Sequence, residues 1–111
     1  MNGITTHVLD TSRGSPAAGV PVLLDRAVDA GWRPVGRGTT DADGRARDLL
    51  TSAPEPGRYR LTFDTDVYFR AVGVSGFYPE VSVTFVVGHG EEHYHVPLLL
   101  SPFGYSTYRG S

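Results

Sequence analysis

Cysteine is absent from the 111 residues of this chain. A disulfide framework, a thiolate nucleophile and a thiolate metal site are therefore all excluded. Long apolar runs are missing as well, because no stretch approaches the roughly 20 residues that a membrane-spanning helix needs. The amino end has no basic segment followed by an apolar one, so no targeting signal is indicated and the cytoplasm is the expected location.

An excess of charge of one sign is missing too. Ten Lys or Arg residues and twelve Asp or Glu residues give a net charge of −2, and the basic residues are scattered along the chain. Neither nucleic acid nor a membrane is therefore a predicted partner. Hydrophobic residues at 40% and charged residues at 20% are typical of a folded protein, and we expect residues 1–111 to form a single domain.

Glycine and proline, by contrast, are abundant. The 14 Gly and 8 Pro residues separate short runs in which apolar and polar residues alternate. This pattern is typical of many short strands joined by tight turns. The clearest alternation places Tyr59, Leu61 and Phe63 on one face of a strand, and residues 81–87 repeat it. We predict further strands over residues 4–10, 20–27, 32–40 and 45–50, and from residue 93 onwards.

The interval between the two clearest strands has a helical period instead. Apolar residues recur there at helical spacing, at Val67, Tyr68, Ala71 and Val72. Asp64 or Thr65 can cap the start of such a helix, and Gly73 can end it. We therefore predict an all-β fold, an antiparallel sandwich of about eight strands with one short helix.

Two histidines two residues apart, His93 and His95, lie on the same face of a predicted strand. The opposite face carries Tyr94, Val96, Leu98 and Leu100, which suits packing in the core. The histidine face continues with Pro97 and Leu99, a mixture typical of a protein interface that contains a pocket. Zinc is the competing interpretation, but it needs a third ligand that no local spacing supplies. His7 or His89 could complete such a site only through the fold.

Other candidate groups are single residues. His7 shares a strand face with Thr5 and Leu9, and a lone strand histidine is more often structural than catalytic. Arg45 directly follows a predicted Asp-Gly turn, and turns at strand ends often present residues to a site. The last residues bring Tyr108 and the hydroxyl of Ser111, but no GxSxG motif indicates a nucleophilic serine.

Together these segments resemble the 5-hydroxyisourate hydrolases, the transthyretin-related enzymes of urate breakdown. The resemblance is carried by ITTHVLD, TDADGR, FYPEVSVTF and HYHVPLLLSPFGYSTYRGS, and it runs from Ile4 to Ser111. It implies a transthyretin-like β-sandwich of two four-stranded sheets with one short helix. It also implies a homotetramer whose active sites lie in clefts at the subunit interface.

The resemblance also implies the site residues and the chemistry. His7, Arg45, His95 and Ser111 are expected to be catalytic, and His7, Arg45 and Tyr108 are expected to contact the substrate. The reaction would open the six-membered ring of 5-hydroxyisourate and give 2-oxo-4-hydroxy-4-carboxy-5-ureidoimidazoline. We expect attack by an activated water on an amide-type bond, with no metal and no organic cofactor.

Three questions stay open at this point. Which histidine is the base and which the acid does not follow from the sequence, and His93 is given only a supporting role. Strict alternation points Tyr108 and Arg109 to opposite faces, so we expect Tyr108 to contact substrate and Arg109 to serve an interface or an ion pair. The alternative function is a transthyretin-like carrier that binds a small ligand without turnover. Hormone carriers of that fold replace both histidines, the arginine and the YRGS ending, all of which this chain keeps.

Overall fold

Two β-sheets pack around one apolar core in the computed structural model, which describes residues 3–90 and 93–111. The strands in these ranges are β1 Gly3–Asp10, β2 Ser15–Pro16, β3 Pro21–Val28, β4 Gly31–Thr39, β5 Arg45–Ala46, β6 Gly57–Phe63, β7 Val81–Val87, β8 His93–Ser101 and β9 Gly104–Thr107. The helix α1 spans Thr65–Ala71. The predicted fold class, an all-β sandwich with one short helix, is confirmed, and the described ranges contain nine strands where about eight are predicted.

Strand order puts β1 at the centre of the sheet that will carry the site. This sheet runs β2-β1-β8-β9, and β5 also pairs with β1, whereas the other sheet runs β4-β3-β6-β7. The pairing of β1 with β8 is parallel and extends from Gly3 to Asp10 of β1, with Thr5 opposite His95. The prediction of an antiparallel sandwich is wrong for this pair, because the alternation of side chains is the same whichever way a neighbouring strand runs.

Part of the core consists of residues that the alternation predicted, including Leu61, Phe63, Val81, Val96, Leu98 and Leu100. Buried side chains from the two sheets include Val8, Leu24, Leu61, Phe63, Val81, Val96, Leu98 and Leu100. Full burial of one such side chain stabilises the fold by about 1.5–3 kcal/mol. Because successive residues of a strand point to opposite faces, burial of Val8 and Val96 turns His7 and His95 outward.

Strand β5 is shorter than predicted, because it ends at Ala46 instead of residue 50. The chain leaves β1 at that point and buries Leu49 in the core. The carbonyl of Leu49 packs so closely on Gly36 of β4 that a side chain at residue 36 would collide with it. Packing of Leu49 between the sheets therefore takes precedence over continued pairing with β1.

Helix α1 begins where the sequence predicts. The Asp64 carboxylate accepts a hydrogen bond from the Val67 N–H at 3.2 Å, which caps the first turn. The buried face differs from the predicted stripe, since Tyr68 and Phe69 are buried whereas Val67 is 45% exposed. The Tyr68 hydroxyl donates to the buried Asp10 carboxylate at 2.7 Å and so ties α1 to the end of β1.

The Tyr68→Phe variant should lose about 1.5–3 kcal/mol of unfolding free energy, as expected when a buried charged group loses a donor. Burial of Asp10 raises the pKa of its carboxyl, but hydrogen bonds from Ser12, Tyr68 and the backbone outweigh burial and leave this pKa below its usual value. The stabilisation is therefore present above the unfolded-state pKa and disappears as pH falls through the folded-state pKa. Urea unfolding at several pH values should show the difference between wild type and variant shrinking in acid.

The control for this variant is Tyr105→Phe, which removes a hydroxyl from a side chain that is 44% exposed. Its unfolding free energy should stay within about 0.5 kcal/mol of wild type. Equal losses in the two variants would contradict the role of the Tyr68–Asp10 hydrogen bond.

In the described part of the chain, no helix has the length and apolar character needed to cross a membrane.

Candidate active site

A cavity of about 470 Å³ opens on the outward face of the sheet that contains β1 and β8. All five predicted site residues line it, namely His7, Arg45, His95, Tyr108 and Ser111. His93 lines it too, as do Thr5, Arg47 and Gly110, which sequence reasoning missed. Arg47 and Thr5 could have been found from their spacing, because each lies two residues from a predicted site residue on the same strand or its extension.

Three neighbouring strands bring these groups together. His7 on β1 lies directly opposite Arg45 on β5, and Thr5 on β1 lies directly opposite His95 on β8. Adjacent strands are about 4.8 Å apart, so side chains in register on one face are neighbours. The residues are therefore distant in sequence and adjacent in space because β1 pairs with both partners.

His7 is held by a backbone carbonyl. Its Nε2 donates to the carbonyl oxygen of Asp43 at 2.8 Å. A carbonyl oxygen only accepts hydrogen bonds, so the Nε2 atom must carry a proton. In neutral His7 the lone pair is therefore on Nδ1, which has no protein partner in residues 3–90 or 93–111.

The turn that supplies this carbonyl also places Arg45. Asp41 Oδ1 accepts the backbone N–H groups of Asp43 and Arg45 at 2.9 and 3.0 Å. The hydrogen bond from the Arg45 N–H is the largest cause that lowers the pKa of the Asp41 carboxyl. Gly44 in the same turn has a φ of +77° and its carbonyl accepts from the Val8 N–H at 2.7 Å. One turn thus fixes both the His7 ring and the Arg45 backbone against β1.

His95 has an environment that favours the neutral imidazole. Burial lowers the pKa of His95, and the nearby charges of Arg45, His7 and His93 lower it further. Its Nδ1 lies 2.8 Å from the Thr5 hydroxyl oxygen. The His93 ring lies nearly parallel to it, with centroids 6.4 Å apart and planes at 11°. The imidazole of His95 therefore stays uncharged to a lower pH than an ordinary histidine.

The walls of the cavity are positive. Arg45 and Arg47 line it together with three histidines, and no Asp or Glu side chain belongs to its described lining. Arg47 lies 3.6 Å from the Asp41 carboxylate, whose side chain is about half exposed. Guanidinium groups and imidazole N–H groups bind carbonyl oxygens and stabilise developing negative charge. The site is therefore suited to an oxygen-rich substrate and to an anionic transition state.

The last residues close one side of the cavity. The Gly110 N–H donates to the His95 carbonyl at 2.8 Å, and this isolated bridge carries the chain past the imidazole. Tyr108 lines the cavity, whereas the Arg109 guanidinium lies over the Tyr94 ring, 4.7 Å from its centroid. The structure thus separates the two side chains as strict alternation predicts.

One buried polar atom at this site lacks a partner. His93 Nδ1 is buried without a hydrogen bond in the ranges that the structure describes. Those same ranges contain no group of three or more His, Cys, Asp or Glu residues that could hold a metal ion. The histidine and arginine side chains of the cavity can transfer protons, donate hydrogen bonds and stabilise negative charge.

Comparison with known proteins gives a consistent picture. A model of the "HIUase/Transthyretin family" matches residues 4–110. The chain is 48% identical over 111 residues to a 5-hydroxyisourate hydrolase of Salmonella dublin, covering 99% of this chain and 82% of that protein. It is 47% identical over 111 residues to the mouse (Mus musculus) 5-hydroxyisourate hydrolase, covering 97% of this chain and 94% of that one.

The similar solved structures include both a 5-hydroxyisourate hydrolase and a transthyretin. A Klebsiella pneumoniae 5-hydroxyisourate hydrolase has a TM-score of 0.87 at 36% identity, covering 100% of this chain and 94% of that one. Sea bream transthyretin in complex with thyroxine has a TM-score of 0.90 at 34% identity, covering 96% of this chain and 93% of that one. Backbone similarity therefore does not separate a hydrolase from a transthyretin that binds thyroxine, and the residues of the cavity must do so.

Proposed function

Because this chain belongs to the HIUase/Transthyretin family, we propose that it hydrolyses 5-hydroxyisourate in the degradation of urate. The observation that carries this proposal is the cavity in which His7, Arg45 and His95 meet. An enzyme needs groups that move protons and stabilise charge, whereas a carrier needs only a complementary surface. Curated relatives that are 44–48% identical to this chain are named as hydrolases of this substrate, which supports the same choice.

The reaction requires three things of the site. A water oxygen forms a bond to the ring carbonyl carbon, the ring C–N bond breaks, and a proton from the water reaches the leaving nitrogen. His7 and His95 are suited to proton transfer, because a neutral imidazole carries one nitrogen that can accept a proton and one that can donate a hydrogen bond. Arg45 is suited to the carbonyl oxygen, since its guanidinium keeps its charge and presents several hydrogen-bond donors. The expected product is 2-oxo-4-hydroxy-4-carboxy-5-ureidoimidazoline.

Tyr108 and Ser111 have supporting roles in this proposal. Both line the cavity beside His95, where their hydroxyl groups can hydrogen-bond the substrate or the attacking water. Attack by water directly, without an acyl-enzyme on Ser111, agrees with the lack of a strand-to-helix turn around that serine. No metal or organic cofactor has a part in this scheme.

We also propose a homotetramer with the active sites at the subunit interface. The cavity is open, and beside the histidines the same sheet face carries Leu99, which is only partly buried, and Pro97, which is covered within this chain. A sheet face of this composition is suited to a partner subunit that completes the walls of the site. Analytical ultracentrifugation should find a tetramer, and a monomer with full activity would contradict this arrangement. The cytoplasmic location and the single-domain organisation stay predictions from the sequence.

Substrate turnover is the experiment that tests the function. Urate oxidase would generate 5-hydroxyisourate in place, and its ultraviolet decay would be followed with and without this protein. We expect decay much faster than the spontaneous rate at catalytic protein concentration. Decay at the spontaneous rate, together with saturable binding of a small aromatic ligand, would favour the transthyretin-like carrier instead.

A further inference from the structure

The Thr5 hydroxyl lies between the core and the cavity, against the ring of His95. Thr5 is only 5% exposed, and its Oγ1 is 2.8 Å from Nδ1 of His95. No other hydrogen-bond partner of this hydroxyl occurs in residues 3–90 and 93–111. The hydroxyl of the next residue, Thr6, instead donates to the Val96 carbonyl at 2.6 Å. Of these two threonines, Thr5 is therefore the one whose hydroxyl hydrogen-bonds the His95 imidazole.

The direction of this hydrogen bond follows from the needs of the hydroxyl. A buried hydroxyl proton without an acceptor costs about 1–3 kcal/mol. Nδ1 of His95 is the acceptor within reach in the described residues, so the hydroxyl donates and Nδ1 carries no proton. In a neutral imidazole the proton is then on Nε2.

The opposite edge of the ring is held as well. A Cβ atom added to Gly110 would lie 2.5 Å from Cδ2 of His95 and 3.2 Å from Cγ, so the backbone there packs directly against the ring. Thr5 occupies the Nδ1 edge and Gly110 occupies the Cδ2 edge. Only the end of the ring with Cε1 and Nε2 is left for the cavity. The lowered pKa of His95 agrees with a ring that is neutral at physiological pH.

We propose that Thr5 is a positioning residue that holds His95 as a neutral imidazole with its proton on Nε2, where it donates a hydrogen bond to the oxygen of the attacked carbonyl. This inference rests on the proposed hydrolysis and assigns different roles in it to His95 and His7. A neutral imidazole that gave up this proton would become an anion, which is far too basic to form readily. His95 therefore keeps its proton and acts with Arg45 on the developing oxyanion.

Proton transfer then belongs to His7. Its Nε2 is committed to the Asp43 carbonyl, so Nδ1 is the atom that accepts a proton from the attacking water. The water oxygen forms the new bond to the carbonyl carbon and a tetrahedral anion results. The ring C–N bond breaks next, and the proton on Nδ1 passes to the leaving nitrogen. His7 returns to its neutral form, and His95 is unchanged.

The test compares Thr5→Val, which has the same shape without the hydroxyl, with Thr5→Ser, which keeps the hydroxyl. We expect Thr5→Val to lower kcat by about 10- to 100-fold, less than removal of an oxyanion donor itself, with little change in KM. Thr5→Ser should restore kcat to within a few-fold of wild type. Thr62→Val, a matched loss of hydroxyl on the other sheet, should leave kcat unchanged.

NMR spectroscopy tests the role of Thr5 without any substrate, so its result does not depend on the proposed function. Nitrogen-15 NMR of histidine-labelled protein should show wild-type His95 with its proton on Nε2, and Thr5→Val should show a mixture of tautomers. A proton on Nδ1 in the wild type would overturn the proposal, and so would Thr5→Val with wild-type kcat and an unchanged tautomer. A wild-type protein that fails to hydrolyse 5-hydroxyisourate would contradict the proposed function, while the NMR comparison would still decide the role of Thr5.

Discussion

Replacement of Arg45 by alanine is expected to lower kcat/KM for 5-hydroxyisourate by about 10²- to 10³-fold, as loss of an oxyanion donor does in other enzymes. The guanidinium is the permanently charged group opposite His7, and its planar fork matches a carbonyl oxygen on which charge develops. Arg45→Lys should recover only part of the loss, because an ammonium keeps the charge without the fork.

Structural damage should not account for the effect of Arg45→Ala. The hydrogen bonds that form the turn use the backbone of Arg45 and the side chain of Asp41, so truncation of the arginine side chain leaves them in place. Arg58→Ala removes an exposed arginine on the other sheet and should keep wild-type kinetics. Steady-state assays with a check of oligomeric state would decide, and full activity in Arg45→Ala would refute the assignment of this residue.

The Gly110→Ala variant should lose about 10²-fold in kcat while its fold stays intact, since a displacement of about 1 Å in a catalytic group has effects of that size. The new methyl group would lie 2.5 Å from the His95 ring and 3.3 Å from the Pro97 ring, so something must move. Rotation of the imidazole breaks its hydrogen bond to Thr5, and movement of the tail withdraws Ser111 from the cavity. Either response disturbs the site.

Gly104→Ala is the matched control, because a methyl group there would be 3.7 Å from the nearest atom, the Ser101 hydroxyl oxygen. Its kcat should stay near that of wild type. For both variants, the free energy of unfolding in urea should lie within about 1 kcal/mol of the wild-type value. Wild-type kcat in Gly110→Ala would mean that the contact between Gly110 and His95 does not position the ring for catalysis.

The two halves of the YRGS ending illustrate what pattern alone can predict. Alternation places Tyr108 and Arg109 on opposite faces, and the structure has Tyr108 at the cavity and Arg109 over Tyr94. Glycine at residue 110 carries no such signal. Its reason is the close approach of the chain to a ring fifteen residues earlier, a contact that exists only once β8 and the tail are paired.

Thr5 and Arg47 escaped sequence reasoning for a related physical reason. A threonine in a strand is unremarkable by propensity, and its role follows from the parallel register that puts it opposite His95. Arg47 falls within the predicted strand over residues 45–50. That strand ends at Ala46 because burial of Leu49 against β4 draws the chain away from β1.

Local pattern by itself determined most of the strands, the helix cap at Asp64 and the inward and outward faces of β1 and β8, because these depend on periods of two and 3.6 residues. Motif resemblance added the expected site residues. Only the tertiary structure decided which ring nitrogen of His7 and of His95 is left free to contact the substrate. That choice depends on the Asp43 carbonyl and the Thr5 hydroxyl, which occupy the other nitrogens. These hydrogen bonds join residues 36 and 90 positions apart, and pairing of the strands is what brings such distant groups into contact.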